Sequence, residues 1–520
     1  MDDSKEVNVL ISASCDFTSE FFKGAKKYIF RSETSLMEGA PGGGSESAKY
    51  KELKMKVNPT IFREYDVRGV VNKEFDTEFA YHLGRAIGTT VRRKFSSDFA
   101  SDSPDKRFHR TVAVGRDARL SSLELAQVVV RGLSDCGLDV IDLGLVTTPI
   151  TYFATFNLSG LMGAVMITGS HNPPEYNGFK VSVGKETIFG EQIQALKVLI
   201  ENEDYETGKG SVRPFDIFPM YVEKYKREFA GLKSLPVVLD CGNGVAGCIA
   251  RKLYESVGLN PVILFEEPDG TFPNHHPDPT VEKNLKDLKE AVAKNKAVVG
   301  IGFDGDCDRI GVVDENGRMV FGDELIVMIS RAILEDSPGQ KIIGDVKCSD
   351  RLFEDIRSRG GHAIMWKTGH SLIKKKIKDE KAPFGGEMSG HIFFNDRNDG
   401  YDDALYAGLR LIEILAKKNT TPSRLLDGFP PAYNTPELRI DTTEEKKVSI
   451  VEGLRQKYAN PSSEVGVNLI DGIRVSFKDG WALARASNTQ PVLVLRFEST
   501  TPEGLTRIRN EFESYVNQFL

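Results

Sequence analysis

From Pro59 onward, short apolar runs with the character of strands alternate with amphipathic stretches with the character of helices. The apolar run at 111–115 precedes a helical pattern at 123–136, and the strand-like run at 236–239 precedes a helical pattern at 245–257. Parallel strands need long crossover connections of this kind, and these connections are usually helices. The alternation therefore predicts successive βαβ units with largely parallel sheets.

The chain is too long for one core, since 520 residues exceed the about 100 to 200 residues of a typical domain. Beyond about residue 430, strand-like runs such as 473–477 follow one another before a closing helix, which is typical of a small α+β unit. We predict an α/β fold class, with three successive mixed α/β domains of similar topology and a smaller C-terminal α+β domain. The predicted boundaries are a flexible N-terminal extension at 1–58, α/β domains at 59–213, 214–318 and 319–430, and the C-terminal domain at 431–520.

Charge and cysteine usage narrow the range of partners. The formal net charge is −7 and the sequence pI is about 5.8. A chain without a basic excess has little with which to neutralise nucleic-acid phosphates or an acidic membrane surface, so we expect neither partner. The six cysteines are scattered and form no C-x-x-C pair, which favours reduced thiols and a cytoplasmic protein.

The run T-G-S-H-N-P-P at 168–174 directly follows the apolar strand at 164–167. Two consecutive prolines end the strand, and Gly169 permits a tight bend that presents Ser170 beside His171. A serine in this position can act as a nucleophile. An ordinary turn with a capping serine explains the same pattern, so the run alone leaves both interpretations open.

A second loop, D-G-D-C-D-R at 304–309, also follows an apolar run. The alternate carboxylates of Asp304, Asp306 and Asp308 can converge on one hard cation, for which magnesium is the natural candidate. The calcium EF-hand is excluded because Arg309 occupies the sixth position, where that loop requires glycine. The remaining alternative is an acidic solvated turn.

The run G-N-G-V-A-G at 242–247 follows a strand and has Glu266 about twenty residues further on, as in dinucleotide-binding proteins. It supports a rival hypothesis, an oxidoreductase that binds NAD through Gly242 and Gly247. The same glycines suit any tight turn from a strand to a helix, so the run is weak evidence on its own.

Two further runs supply groups for a sugar phosphate. The run G-G-E-M-S-G-H at 385–391 combines a carboxylate, a hydroxyl and an imidazole that can bind sugar hydroxyls. The run R-A-S-N-T at 485–489 offers an arginine and short donors suited to a phosphate. With the serine and the aspartates, these runs describe one site, in either an enzyme or a catalytically silent sugar-phosphate-binding protein.

These motifs, in this order, resemble the α-D-phosphohexomutase family, and they resemble its bacterial phosphomannomutase/phosphoglucomutase branch most closely. The resemblance runs from about Pro59 to the C-terminus and includes I-F-R-E-Y-D-V-R-G at 61–69 and K-T-G-H-S-L-I-K-K-K at 367–376. It implies four domains, each with one loop in a central active-site cleft, and it makes the run at 242–247 a structural turn. The implied enzyme interconverts hexose 6-phosphate and hexose 1-phosphate, with mannose or glucose as the sugar, through a phosphoserine and glucose 1,6-bisphosphate.

The resemblance also implies roles for individual residues. One magnesium ion (Mg²⁺) is held by Ser170, Asp304, Asp306 and Asp308. The implied catalytic residues are Ser170, His171, Lys180, Arg68, His370 and Arg309, with the proton-transfer role open between Lys180, Arg68 and His370. The implied substrate-binding residues are Tyr65, Lys347, Glu387, Ser389, His391, Arg485, Ser487, Asn488 and Thr489.

Two positions bear on substrate and loop chemistry. Met388 stands where glucosamine mutases typically have glutamine, so a phosphoglucosamine mutase remains the alternative within the family. Cys307 stands in the aspartate loop where close relatives usually have glycine, and we expect it to alter loop mobility or to make the site sensitive to oxidation. The expected partners are hexose phosphates, and the expected assembly is a monomer or a weak oligomer.

Overall fold

The computed structural model of the chain describes residues 55, 57–100, 108–460, 465–487 and 491–519. Residues 1–54 and residue 56 of the predicted extension at 1–58 therefore lie outside the described residues. Val57 is already buried in the core of the first α/β domain. No helix within the described ranges is long and apolar enough to cross a membrane.

The first domain is built on a seven-stranded sheet. Its strands are β1 (Val67–Val70), β2 (Thr111–Arg116), β3 (Asp139–Leu145), β4 (Leu161–Ile167), β5 (Tyr176–Val183), β6 (Glu186–Thr187) and β7 (Val212–Pro214). Its helices are α1 (Thr77–Lys94), α2 (Ser96–Ala100), α3 (Ser122–Ser134), α4 (Thr148–Asn157) and α5 (Glu191–Asn202). The strand order is β1-β5-β4-β2-β3-β7, with β6 paired to β5.

The second domain contains a five-stranded sheet in the order β12-β11-β10-β8-β9. Its strands are β8 (Val237–Asp240), β9 (Val262–Leu264), β10 (Val299–Phe303), β11 (Ile310–Asp314) and β12 (Met319–Val320). Its helices are α6 (Phe218–Glu228), α7 (Ala250–Ser256) and α8 (Lys286–Asn295), and it has 3₁₀ turns at Val245–Cys248 and Glu282–Leu285. A further 3₁₀ turn, at Pro59–Ile61, belongs to the first domain and precedes β1.

The third domain has four strands in the order β14-β13-β15-β16. They are β13 (Lys341–Asp345), β14 (His362–Trp366), β15 (Phe384–Gly386) and β16 (Ile392–Phe394). The helices are α9 (Gly322–Asp336), α10 (Asp350–Ser358), α11 (His370–Glu380), α12 (Ala404–Lys418) and α13 (Pro422–Leu425).

One four-strand arrangement recurs in these three sheets. The orders β3-β2-β4-β5, β9-β8-β10-β11 and β14-β13-β15-β16 are equivalent. In each, the first three strands are parallel and the last is antiparallel. The turn from the third to the fourth strand therefore lies at the same place in each domain. The prediction of three α/β domains of similar topology is confirmed.

The C-terminal domain is an antiparallel sheet with two helices. Its strands are β17 (Tyr433–Asn434), β18 (Leu438–Asp441), β19 (Gly466–Asn468), β20 (Ile473–Phe477), β21 (Gly480–Ala486) and β22 (Val492–Ser499). Its helices are α14 (Glu444–Lys457) and α15 (Pro502–Val516), which contact the sheet around a separate core. The predicted α+β character of this domain is confirmed.

Local sequence explains the individual elements. The side chain of Asp76 caps α1 by accepting from the Phe79 amide at 3.0 Å. The buried residues of α1 include Phe79, Leu83 and Ile87, a helical spacing that forms one apolar face. Strands β4 and β10 are buried at every position, as expected of central strands covered on both sides.

The first three domains share a larger apolar core with one another than the C-terminal domain shares with the third domain. One continuous apolar cluster includes residues of the first, second and third domains. The C-terminal domain meets the third domain through a small cluster of Val346, Trp481 and Leu483. Apolar burial therefore fixes the first three domains to one another, whereas polar contacts carry more of the attachment of the fourth.

Candidate active site

Ser170 lies in the turn between β4 and β5, in the left-handed backbone region at φ 50°. Its hydroxyl is 2.9 Å from Asp304 Oδ2 and 3.2 Å from His171 Nδ1. Its amide donates to Thr168 Oγ1 at 2.8 Å. A non-glycine residue in this region of backbone space is uncommon and costs free energy, and such strain occurs at functional sites more often than elsewhere.

A buried arginine that the sequence predictions did not include holds the serine turn in place. The Arg119 guanidinium donates to four carbonyl oxygens, those of Ser170, Asn172, Pro173 and Tyr176. Asp117 accepts from Arg119 Nε at 3.1 Å and from the Gly169 amide at 3.1 Å. Asp117 and Arg119 directly follow β2, which lies parallel to and beside β4. The carboxyl ends of neighbouring parallel strands lie together, so this position was the sequence evidence that the two residues lie near the serine turn.

The aspartate loop between β10 and β11 is closed by its own first carboxylate. Asp304 Oδ1 accepts from the amides of Asp308 and Arg309, each at 3.1 Å. A Cβ atom on Gly305 would lie 2.6 Å from the Ser170 carbonyl oxygen. Only glycine lets this loop approach the serine turn so closely.

The carboxylates of Asp304, Asp306 and Asp308 are fully buried, with ligand oxygens within 4.8 Å of one another. Burial and the charges of the other two aspartates raise the pKa of Asp304 well above its ordinary value. Oδ1 of Asp306 and Oδ1 of Asp308 have no hydrogen-bond partner among the described residues. Unpaired buried carboxylate oxygens in one cluster suit a hard divalent cation, so the loop can bind a metal ion.

Lys180 lies on β5 against the same carboxylates. Its Nζ donates to Asp306 Oδ2 at 2.7 Å and also contacts Asp308 Oδ2. Burial favours the neutral amine, but the charges of Asp306 and Asp308 outweigh it and raise the pKa of Lys180. Lys180 is therefore an ammonium group at neutral pH.

The third turn, between β15 and β16, carries Glu387, Ser389 and His391. Glu387 Oε1 accepts from the Gly369 amide at 2.5 Å, and Oε2 lies 2.8 Å from His391 Nδ1. Burial opposes protonation of His391, yet the carboxylate of Asp308 raises its pKa to about 9. Burial likewise opposes ionisation of Glu387, but the His391 hydrogen bond lowers its pKa overall.

Backbone contacts join the second and third turns. Arg309 and His391 form an antiparallel bridge, and the Ile310 amide donates to the Gly390 carbonyl at 3.0 Å. Gly390 has φ 86°, and a Cβ atom there would lie 2.5 Å from the Ile310 carbonyl oxygen. The three equivalent turns thus contact one another, with glycines at both points of closest approach.

His370 begins α11 beside this cluster. Its ring stacks on the ring of His391 with 5.6 Å between centroids, and the ring of Tyr65 meets it edge-on at 6.1 Å. Burial and the neighbouring ammonium of Lys374 hold the pKa of His370 well below its ordinary value. Burial and the charge of Arg309 do the same for the pKa of His171. Both imidazoles are therefore neutral at neutral pH.

The C-terminal domain brings Arg485 to the site. Arg485 Nε donates to Asp471 Oδ2 at 3.1 Å, and the Thr368 amide of the third domain donates to the same oxygen at 3.1 Å. Lys347 Nζ donates to Glu437 Oε2 of the C-terminal domain at 3.1 Å. The predicted Asn488 and Thr489 lie outside the described residues.

These groups surround a cavity of about 540 Å³. Thirteen of the predicted site residues line it: Tyr65, Arg68, Ser170, His171, Lys180, Arg309, Lys347, His370, Glu387, Ser389, His391, Arg485 and Ser487. The three aspartates are fully buried and contact two of these lining residues, Ser170 and Lys180. Arg439 and Arg496, which the sequence predictions did not include, also line the cavity. An excess of arginine and lysine around a deep cavity suits a ligand with phosphate groups.

The glycine-rich run at 242–247 supports the aspartate loop. The Val245 amide donates to the Gly305 carbonyl at 3.2 Å. A Cβ atom on Gly247 would lie 1.7 Å from the Glu266 carbonyl oxygen. Close packing within the protein therefore accounts for these glycines, and the predicted helix at 245–257 is divided into the 3₁₀ turn and α7.

Cys307 has φ 63°, which explains why a glycine suits this position. Its side chain is fully buried, and burial raises the pKa of the thiol well above its ordinary value. A buried neutral thiol reacts poorly with oxidants, so the structure argues against the expected sensitivity to oxidation.

Comparison with known proteins identifies family matches between residues 59 and 514. Models of the phosphoglucomutase/phosphomannomutase family match its α/β/α domain I at residues 59–207, domain II at 219–317, domain III at 321–433 and its C-terminal domain at 437–514.

Curated relatives match over a similar span. A phosphomannomutase/phosphoglucomutase of Pseudomonas aeruginosa is 47% identical over 457 residues, which cover 88% of this chain and 95% of that protein. A phosphoglucomutase of Neisseria gonorrhoeae is 44% identical, with 88% and 96% covered. The crystal structure of a phosphoglucomutase/phosphomannomutase family protein from Burkholderia thailandensis is 41% identical, covers 89% of this chain and 98% of its own, and superposes with a TM-score of 0.80.

Proposed function

Because this chain belongs to the phosphoglucomutase/phosphomannomutase family, we propose that it interconverts hexose 6-phosphate and hexose 1-phosphate, with glucose and mannose as the sugars. One observation carries the proposal: Ser170 lies in a strained turn with its hydroxyl 2.9 Å from a buried cluster of three carboxylates. Neither an NAD-dependent oxidoreductase nor a catalytically silent binding protein would require a serine hydroxyl beside a buried cluster of three carboxylates.

Phosphorylated Ser170 is the proposed phosphate donor. In the first transfer the bond between Ser170 Oγ and phosphorus breaks as a sugar hydroxyl oxygen bonds to phosphorus and loses its proton, which gives hexose 1,6-bisphosphate. The Ser170 oxygen leaves as an alkoxide, and it takes up one proton to become the free hydroxyl. After the sugar turns around, its other phosphate moves to Ser170 by the reverse step. Serine is therefore phosphorylated again at the end of each cycle.

Magnesium fits the donor set of Asp304, Asp306 and Asp308, because three carboxylates offer only oxygen ligands. These aspartates and the phosphate on Ser170 are the groups that would hold it. When bound, the ion neutralises charge on the transferring phosphoryl group. Lys180 and Arg309 contribute further positive charge from the protein itself.

Proton transfer is assigned to His370. The sugar hydroxyl must lose a proton as its oxygen bonds to phosphorus. Lys180 is held as an ammonium group by its two carboxylates, and an arginine such as Arg68 does not deprotonate in proteins. His370 lines the substrate cavity and has a lowered pKa, so it is the group best able to accept the proton.

The remaining groups hold the substrate in two orientations. Glu387 and Ser389 offer acceptors for sugar hydroxyls. Arg485 and Lys347 line the same cavity and can hold the phosphate that does not react. Since the bisphosphate carries a phosphate at either end, the same cationic groups serve both transfers.

The test is an assay with magnesium, a trace of glucose 1,6-bisphosphate, and either glucose 1-phosphate or mannose 1-phosphate. We expect 6-phosphate to form from both. Turnover of glucosamine 1-phosphate alone would keep the mechanism and change the sugar. No turnover of any of the three would contradict the proposed function.

A further inference from the structure

Three buried side-chain atoms of the kinds that bind metals lie beside the aspartate cluster, on the side of the third domain. Asp308 Oδ1 and Asp402 Oδ2 have no hydrogen-bond partner among the described residues. His391 Nε2 lies 3.4 Å from the first oxygen and 3.9 Å from the second. All three side chains are buried, and their ligand atoms lie within 4.8 Å of one another. Between them, the two oxygens lie within ion-pair distance of His391 and His370, but neither oxygen forms a hydrogen bond with either ring. Buried polar atoms that lack a hydrogen bond cost free energy, so this group of atoms is suited to a ligand.

The second nitrogen of His391 is already oriented. Its Nδ1 lies 2.8 Å from Glu387 Oε2, which directs Nε2 toward the two aspartates. Histidines that bind metals almost always donate their other N–H to a carboxylate or a carbonyl, because that bond fixes the ring and its tautomer. Glu387 and His391 have this arrangement.

Lysines orient both aspartates in the same manner. Lys180 binds Asp308 through Oδ2, and Lys374 Nζ donates to Asp402 Oδ1 at 3.1 Å. In each carboxylate one oxygen is therefore held by an ammonium group, and the other faces His391. The two lysines also compensate charge that would otherwise oppose burial of the aspartates.

We propose that Asp308 Oδ1, His391 Nε2 and Asp402 Oδ2 form a second metal site, which takes zinc. A mixed nitrogen and oxygen set suits Zn²⁺, whereas magnesium prefers oxygen alone. Tetrahedral zinc with bonds of about 2.0 to 2.2 Å separates its ligands by about 3.3 Å, close to the 3.4 Å between Asp308 and His391. His370 Nδ1 lies 4.0 Å from Asp402 Oδ2, at the edge of this group.

The site shares Asp308 with the magnesium cluster and occupies His391. If the proposed mutase function holds, zinc bound here inhibits turnover, since it takes His391 from the substrate cavity and Asp308 from the magnesium cluster. The binding itself does not depend on the proposed function.

Equilibrium dialysis with excess magnesium, followed by elemental analysis for zinc, tests the site without any turnover. We expect one zinc per chain in the wild type. Asp402→Asn and His391→Gln each remove a direct ligand and should weaken zinc binding at least about 100-fold, since loss of an outer partner alone costs about 10- to 100-fold. Asp399→Asn is the matched control, because Asp399 pairs with Lys224 and should leave binding unchanged.

Zinc affinity that is equal in the wild type, Asp402→Asn and His391→Gln would overturn the proposal, as would a wild type that retains no zinc. Should Asp402→Asn fail to fold, Glu387→Gln keeps all three ligands and is expected to weaken zinc about 10- to 100-fold. Unchanged affinity in that variant would also count against the site. Diffraction at the zinc absorption edge should place the ion between Asp308, His391 and Asp402, and a peak confined to Asp304, Asp306 and Asp308 would contradict the proposal.

Discussion

Ser170 illustrates how much of the site depends on single residues. Its left-handed backbone, its contact with Asp304 and its contact with His171 all come from one position in one turn. The sequence could indicate a presented hydroxyl, because Gly169 and the two prolines end the strand. It could not indicate the positive φ or the distance to Asp304, since both depend on how two domains meet.

The proposed phosphoserine predicts the result of Ser170→Ala. The variant lacks the oxygen that carries the phosphate, so kcat/KM should fall at least about 10⁴-fold. Circular dichroism should match the wild type, because the substitution removes only one hydroxyl. Ser358→Ala, at an exposed hydroxyl that bonds only to its own helix, serves as the control, and its activity should not change. An active Ser170→Ala enzyme would contradict covalent catalysis.

Asp306 tests the metal cluster. Asp306→Asn replaces an anionic ligand by a neutral one, so the magnesium concentration for half-maximal activity should rise at least about 10-fold. The measurement is activity against magnesium concentration. Asp379→Asn removes an exposed carboxylate paired with Lys375 and should leave the magnesium curve unchanged. An equal magnesium requirement in both variants would show that Asp306 does not bind magnesium.

At the scale of elements, the site arises from three equivalent turns. Each follows the third strand of its sheet and precedes an antiparallel fourth strand, so three homologous positions supply the serine, the aspartates and the glutamate. Sequence periodicity predicted the strands and helices, because buried strands and amphipathic helices have distinct patterns. It predicted a continuous helix from 245 to 257, where contacts with Gly305 and Glu266 impose a 3₁₀ turn instead.

Arg119 links two of these elements, and its substitution tests the loop geometry. Arg119→Lys cannot reach four carbonyl oxygens of the serine turn, because an ammonium group has three donors on one atom. A displacement of about 1 Å at a reacting group costs about 100-fold in rate, so kcat should fall by about that factor. Arg227→Lys, at an exposed ion pair on α6, provides the control. A kcat within about twofold of the wild type would show that the turn keeps its geometry without Arg119.

At the scale of the whole molecule, buried arginines attach the C-terminal domain to the third domain. Arg496 donates to the Lys347 carbonyl oxygen, and Arg474 donates to the Cys348 carbonyl oxygen at 2.8 Å. Glu498 accepts from Ser349 Oγ at 2.6 Å. These contacts also hold the loop that carries Lys347. Sequence alone gave no sign of them, because arginine and glutamate on strands usually face solvent.

Arg496→Met tests this attachment. The variant leaves Asp323 without its buried cation and the Lys347 carbonyl oxygen without the Arg496 donor. Breaking one partner of a buried ion pair costs about 3 to 5 kcal/mol, and we expect that loss in the free energy of unfolding by urea. Arg509→Met removes a surface pair on α15 and should cost less than about 1 kcal/mol. Equal losses in both variants would exclude Arg496 as an anchor.

The most direct measurement is transfer of radioactive phosphate from glucose 1,6-bisphosphate to the protein, with the labelled peptide identified. We predict label on the peptide that contains Ser170, and its removal when unlabelled hexose 1-phosphate is added with magnesium. A protein that turns over hexose phosphates without label on Ser170, or with label on another residue, would contradict the proposed role of Ser170.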